Sequence, residues 1–350
     1  MNLNDRATVT ALDPKGMFTL TEAFSDQCRK ALAIGQAGAL KPLAGEPNLV
    51  VLTGLGGSAS GGDFARALFE AGAKVPYAVN RDYHLPAYVS DKSIVFCSSY
   101  SGNTEETLSA YEDAQRVGAR IICVTSGGKL AEWATRDGHD LFIVPGGQPP
   151  RTALGFMLVP VLVAAVRLGL IPDPDFAEAF AILDETRAVY GLKAPDNAAQ
   201  ALARELHGSL GIIYGLGPWQ SLVAYRWKCQ INENAKNHIF VHSFPELNHN
   251  EILGWVKADE QNVAKYVTIV LEDGTESAKM KTRAAVTERL VGSFSKFHYV
   301  RPLGTGLFAK MLSLTYIGDF VSLYLAVLNQ VDPENIDSIN ILKTELSKIA

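Results

Sequence analysis

Two loops in the first third of the chain gather the groups that can hold an anion. In LVVLTGLGGSASGGD, an apolar β-branched run ends in a turn containing Gly54, Gly56, Gly57, Ser58, Ser60, Gly61 and Gly62, where backbone can approach a ligand closely. In SIVFCSSYSGNTEET, the next apolar run ends in Ser98-Ser99-Tyr100-Ser101-Gly102-Asn103-Thr104, followed by Glu105-Glu106. Hydroxyls crowded at a helix start, with free backbone N–H groups and the positive end of the helix dipole, make an anion cradle that needs no lysine. Each signal alone has a plainer reading. Glycine turns also serve close packing, and Thr104 before two acidic residues is what an ordinary N-cap looks like. A dinucleotide fingerprint would place glycines at 54, 56 and 59, but Ala59 takes the third place, and the strand near Val75–Val79 lacks the acidic residue that binds ribose. No Walker A spacing occurs either. The phosphate of a small metabolite fits better than a nucleotide.

These loops need strands to end on and helices to open. The chain has 350 residues, enough for two domains of about 150. A composition of 47% hydrophobic and 20% charged residues is that of a globular protein and excludes a disordered chain, a coiled coil and a disulfide scaffold. Net charge is −5, sequence pI is near 5.8, and the lysines and arginines are scattered, so nothing invites nucleic acid or an anionic membrane. Cys28, Cys97, Cys123 and Cys229 stand far apart with no CxxC spacing and read as reduced thiols; Cys97 and Cys123 fall in apolar runs and read as core. MNLNDRATVT lacks the apolar region of a secretory signal. The longest apolar stretch, Ala153–Val166, contains Pro160 and falls short of the ~18–20 residues a bilayer needs, so it reads as a buried helix. A soluble, cytoplasmic protein is expected.

The first ~45 residues carry helical periodicity, marked by Phe18, Leu20, Ala23, Phe24, Cys28, Ala31 and Leu32, and read as a leading helix. Strand-then-helix segments follow: LVVLT, SIVFCSS, RIICVT and DLFIV in the first half, then LGIIYG, HIFVHSF, YVTIVL and KFHYV in the second. Such alternation means parallel sheets covered on both faces. Gly54-Leu55-Gly56 and Gly215-Leu216-Gly217 each close an apolar strand, so the second half echoes the first. Pauses at Leu170–Pro174 and Lys193–Asp196 bracket an amphipathic linker helix. The expected division is residues 1–168, an N-terminal helix plus the first α/β domain with the phosphate loops; 169–195, the linker helix; and 196–350, the second domain with a C-terminal helix.

GLGGSASGGD, SSYSGNTEET, VTSGG, PPRTALG, WKCQINENAKNH and FPELNHNE, in that order and spacing, resemble the bifunctional phosphoglucose/phosphomannose isomerases, two-domain members of the sugar isomerase (SIS) superfamily. The similar stretches run from about Val50 to Leu328. SYSGNTEE is shared by many sugar-phosphate SIS domains, whereas INENAK followed by ELNHNE is much more specific. The resemblance implies two SIS-type doubly wound parallel-sheet domains with flanking helices. It implies Gly57, Ser58, Ser99, Ser101 and Thr104 as phosphate-binding residues, Arg151 beside the reacting carbons, Glu233 as base, and His249 and Lys310 for ring opening. No cofactor and no metal are expected, and the partners implied are a sugar phosphate and a second copy, as a homodimer with the active site near the subunit interface.

The residues can be read without the family. Glu233 falls late in a helix that opens at Gly217-Pro218, on a stripe shared with Trp219, Leu222, Val223 and Gln230; a carboxylate on an apolar face near a helix C-terminus should titrate high, as a base near neutral pH must. The other reading of Glu233 is an ion pair with Arg226, Lys228 or Lys236. His249, in Asn248-His249-Asn250-Glu251, is either a titrating loop histidine or a surface turn. A metal site built from His238, His242, His249 and Glu251 is disfavoured, because His238 and His242 share one strand and stand ~13 Å apart along it. Arg151 follows a rigid Pro149-Pro150 pair, which fixes its direction; otherwise it is a helix-start residue on a nearby carbonyl. Lys310 enters a mostly apolar helix early, either snorkelling or aimed at a site. Asp319 in the same helix reads as buried and structural.

The expected activity is metal-independent interconversion of glucose 6-phosphate and mannose 6-phosphate with fructose 6-phosphate through a cis-enediol. The alternatives are a non-catalytic sugar-phosphate sensor and an aminosugar-phosphate isomerase. A sensor would carry a DNA-binding helix-turn-helix with basic residues, and none is evident. An aminosugar synthase would pair with a glutaminase bearing an N-terminal cysteine, whereas the first cysteine here is Cys28.

Overall fold

The structure is a computed structural model that describes residues 1–346 and 348; positions 347 and 349–350, the end of the expected second domain, lie outside the described residues. Two parallel sheets organise it. The first holds β1 (Leu49–Thr53), β2 (Tyr77–Asn80), β3 (Ser93–Ser98), β4 (Arg120–Thr125) and β5 (Asp140–Ile143) in the order β2-β1-β3-β4-β5. The second holds β6 (Leu210–Gly215), β7 (Ile239–Ser243), β8 (Tyr266–Leu271) and β9 (Ser295–Val300) in the order β7-β6-β8-β9. Every strand pair is parallel. The doubly wound α/β fold expected from the alternating pattern is therefore the one found. In each sheet the winding reverses beside the first strand, between β1 and β3 and between β6 and β8. Such reversals open a crevice at the carboxyl ends of the strands, where ligands of open α/β sheets bind.

The chain forms two compact units that exchange segments. One comprises Ala23–Asp184 with Gly304–Met311; the other comprises Met1–Glu22, Glu185–Leu303 and the described part of Leu312–Ala350. The boundary falls within the helix Phe176–Tyr190 of the expected linker. In the first unit every residue of β1 and β3 is buried, and Val51, Val95, Cys97, Ile121 and Cys123 share one core with Tyr111 and Leu130. Burial pushes the Cys97 thiol well above its usual titration range, as a core thiol's should be. In the second unit Tyr214, Phe244, Leu247, Trp255 and Val270 form the corresponding core.

Two sequence expectations are corrected. The leading helix is three helices, Arg6–Leu12, Met17–Glu22 and Phe24–Ala37. Asp13 breaks the run because its carboxylate accepts the Met17 and Phe18 amides at 2.7 and 2.8 Å, ending one helix and starting the next. The helix Leu154–Arg167 is buried, with Pro160 inside it, but it is not the longest apolar element. That is Leu307–Leu328, 22 residues, long and apolar enough to cross a membrane by length and composition, with its apolar window wholly buried in the protein. Lys310 and Asp319 interrupt its apolar run in sequence, which hides its length.

Candidate active site

At the first sheet's reversal, the turn after β1 leads into the helix Gly56–Gly72 and the loop after β3 into the helix Glu105–Arg116. The two loops are bonded to each other, since the Tyr100 amide donates to the Ser58 hydroxyl at 3.1 Å. Ser58 and Ser99 are both buried. Ser99 Oγ lies 2.8 Å from Thr104 Oγ1 and accepts the Gly102 amide at 3.1 Å. Thr104 occupies the N-cap position, yet its hydroxyl makes no capping bond. Among the described residues, Leu108 is the first in that helix whose amide bonds back to the chain, to the Thr104 carbonyl at 3.0 Å. The amides before it are open at the positive end of the helix, beside the buried hydroxyls of Ser58 and Ser99, an arrangement whose local field favours negative charge. Ser101 stands outside the Ser99–Thr104 pair: it is exposed, and its hydroxyl accepts the Asn103 amide at 3.3 Å.

Gly57 brings Arg151 to this edge. A Cβ on Gly57 would stand 2.6 Å from the Pro150 carbonyl oxygen, so the helix start and the 3₁₀ turn Pro150–Thr152 can touch only through glycine. Arg151 is 4% exposed. Its turn is pinned from below: Gln27 and Gln148 donate to the Thr152 carbonyl at 2.8 and 2.9 Å, and Gln27 in turn accepts the Gly155 amide. Lys310 belongs to the same unit although it comes from the last fifth of the sequence; it is half-buried, one turn into the helix Leu307–Leu328.

Glu233 and His249 belong to the other unit. Glu233 lies near the end of the helix Pro218–Ala235, about 22 Å along it from the Gly217 turn, and is half-buried. The face beside it is more polar than the periodicity implies: Arg226, Gln230 and Asn234 are all buried. They meet a second polar set, Gln230 donating to Asp319 at 2.8 Å, Arg226 pairing with Asp319 at 3.4 Å and Asn234 donating to Ser322 at 2.9 Å. Asp319 is buried as expected, and burial raises its pKa against the lowering effect of Arg226. Lys236 donates to the Glu233 carbonyl, and Lys228 lies over the Tyr225 ring.

His249 ends the 3₁₀ turn Glu246–His249 after β7 and is exposed, while its neighbours hold the turn down. Leu247 is fully buried, Asn248 donates to Thr287 at 2.9 Å, and Tyr214 donates to Glu251 at 2.6 Å. Among the described residues no three His, Cys, Asp or Glu side chains gather as a metal-binding group.

The stretch VTSGG has no task that its residue types alone reveal. In the structure the loop after β4 clamps the Ser99–Thr104 loop: Ser126 donates to the Tyr100 carbonyl at 2.6 Å, the Leu130 amide to Gly102 at 2.9 Å and the Lys129 amide to Asn103 at 3.1 Å. The signal in the sequence is the pair Gly127-Gly128, both with positive φ, which lets two loops cross closely. Among the described residues the second sheet's reversal is lined differently. After β8 the loop carries Glu272, Asp273 and Glu276 where the first has serines, and Glu276 accepts Gln220 and the Asp273 amide. Carboxylates there repel a phosphate.

Comparison with known proteins agrees with the geometry. Residues 46–154 match the family model described as SIS domain, and residues 195–346 match bacterial phospho-glucose isomerase C-terminal SIS domain. A hypothetical protein from Thermus thermophilus shares the fold with TM-score 0.73 at 16% identity, covering 98% of this chain and 93% of that one. The bifunctional phosphoglucose/phosphomannose isomerase of Aquifex aeolicus is 36% identical over 86% of this chain and 91% of its own. That of Caldicellulosiruptor bescii is 42% identical over 95% of this chain and 99% of its own. With near-complete coverage on both sides, the chain belongs to the bifunctional phosphoglucose/phosphomannose isomerase family.

Proposed function

We propose that this chain is an aldose–ketose isomerase that interconverts glucose 6-phosphate and mannose 6-phosphate with fructose 6-phosphate through a cis-enediol. The observation that carries the reading is the meeting, at one sheet reversal, of the buried Ser99 hydroxyl paired with Thr104, an open helix N-terminus and the Arg151 turn packed on Gly57. Ser58, Ser99, Ser101 and Thr104, with the backbone at Gly57, hold the phosphate. Arg151 steadies the charge that develops on the substrate oxygens, and a guanidinium keeps its charge at any working pH.

Isomerisation then needs a group to open the ring and a base to move one proton between C1 and C2. His249 and Lys310 take the first task and Glu233 the second. Mannose chemistry uses the same enediol, re-protonated on the other face of C2 after rotation about C2–C3, so a single base suffices. The active enzyme on this reading is a cytoplasmic homodimer whose active site lies near the subunit interface, and it works without metal.

The test is a coupled assay for fructose 6-phosphate from each aldose phosphate, before and after exhaustive EDTA treatment, with elemental analysis of the protein. Turnover of both substrates, unchanged by chelation, is expected. Stoichiometric zinc with activity lost on chelation would overturn the mechanism. Binding of both substrates without turnover would favour a sensor.

A further inference from the structure

The helix that carries Lys310 is capped by a residue far from it in sequence. Glu178, in the first turn of the helix Phe176–Tyr190, accepts the Thr305 amide on Oε1 at 2.7 Å and the Gly306 amide on Oε1 and Oε2 at 3.2 and 3.0 Å. Thr305 and Gly306 immediately precede the helix Leu307–Leu328, and the Lys310 amide makes its helical bond to the Gly306 carbonyl at 3.0 Å. The Glu178 carboxylate therefore caps this helix start from outside its local sequence.

Three further observations tie it in place. The Asp175 carboxylate accepts the Glu178 amide at 2.9 Å, fixing where Glu178 leaves its own helix. The Phe176 and Phe308 rings meet edge to face at 5.8 Å, and Phe308 is 1% exposed, so the two helix starts are packed as well as bonded. At Gly306 a Cβ would stand 2.5 Å from Glu178 Oε2, so a side chain there would push the carboxylate from its seat. The bond from Thr305 is the largest influence holding the Glu178 carboxyl below its usual range, and the Lys310 ammonium acts in the same direction. A lysine in the first turn of a helix faces the positive end of the dipole; a carboxylate seated on that end offsets it.

We infer that Glu178 is a positioning residue for Lys310: through the Thr305 and Gly306 amides it sets the start of the helix and so the place of the ammonium. This rests on the ring-opening role given to Lys310 above. No contact between Glu178 and substrate is required.

The experiment is a set of kcat and KM measurements on the full-length enzyme with glucose 6-phosphate. Glu178→Ala should lower kcat about tenfold with KM changed less than about threefold, because a misplaced acid–base group slows chemistry more than binding. Glu178→Gln keeps a neutral oxygen for the same amides and should restore most of the loss. Gly306→Ala, which displaces the carboxylate without removing it, should reproduce the loss. In a Lys310→Ala background, Glu178→Ala should cost nothing further. Losses that multiply in the double variant, a Gln variant as slow as the Ala variant, or a fully active Glu178→Ala would each overturn the inference alone. A fully active Lys310→Ala would overturn the role of Lys310 and the inference with it, and absence of isomerase activity in the wild type would overturn the function itself.

Discussion

The Tyr100 amide donates to the Ser58 hydroxyl at 3.1 Å, so the turn after β1 and the loop after β3 are one structure rather than two neighbouring ones. Ser58 is the acceptor there, so its hydroxyl proton is not used in that bond. With Ser99 and Thr104 paired beside it, the cradle offers hydroxyls and amides in a fixed arrangement. Its contribution should be to binding in the ground state and the transition state alike. Replacing Ser101 and Thr104 together by Ala should therefore raise KM about tenfold or more while lowering kcat by less, and inorganic phosphate should compete with substrate in the wild type. Steady-state kinetics with phosphate as inhibitor checks both; an unchanged KM would place the anion elsewhere.

Gly57 makes a sterically sharper prediction. A methyl group there meets the Pro150 carbonyl at 2.6 Å, backbone against backbone, with no flexible side chain to give way. Gly57→Ala should push the Arg151 turn off the cradle and lower kcat about tenfold or more on both substrates, through loss of transition-state stabilisation. Since the contact is local, the midpoint of thermal unfolding should move far less than the rate. Equal activity would mean that Arg151 acts independently of that contact.

Much of this is legible in the strands and their endings. LVVLT and SIVFCS are apolar almost throughout and β-branched, and each runs into glycine or serine before a helical pattern, so sheet, reversal and cradle all have local signals. What escapes is set by distance along the chain or by caps. Asp13 splits the leading helix by accepting the Met17 and Phe18 amides, which apolar periodicity does not register. The polar partners of the face around Glu233, Asp319 and Ser322, come about ninety positions later, so periodicity does not show that Gln230 and Asn234 are buried against them. Glu178 reads as one more surface glutamate until Thr305 and Gly306 are folded onto it.

The Arg226–Asp319 pair carries a stability prediction. Both side chains are buried and Gln230 completes the set. Asp319→Leu leaves the guanidinium in the interior without its carboxylate and should cost about 3 kcal/mol; Asp319→Asn, which keeps an oxygen for Gln230, should cost about half that. Denaturant unfolding of the three proteins measures it. Equal midpoints would mean that the charge of Asp319 contributes nothing net to folding.

His298 gives a pH dependence. It lies on β9 with Nε2 buried and unbonded, and burial lowers its pKa below the usual 6.5 despite Glu205; Lys296 and Lys265 push the same way as burial. The unfolded chain takes up a proton near pH 6.5, where the folded protein still resists it, so stability present above that pH is lost as pH falls through the lower, folded value. His298→Phe removes the group, and the drop in Tm between pH 7 and pH 5 should shrink by about 1–2 °C. An unchanged drop would assign the acid sensitivity to other groups.

One residue, Glu233, is asked to serve both substrates, and the most direct measurement is the kcat of wild type and Glu233→Gln on glucose 6-phosphate and on mannose 6-phosphate, with fructose 6-phosphate as the product followed. The Gln variant keeps the size of a half-buried side chain and loses only the base. Wild type should turn over both substrates, and the variant should lose about 10³-fold or more on each, in similar proportion. A variant within tenfold of wild type on either substrate would contradict a single shared base, and a wild type active on neither would contradict the isomerase itself.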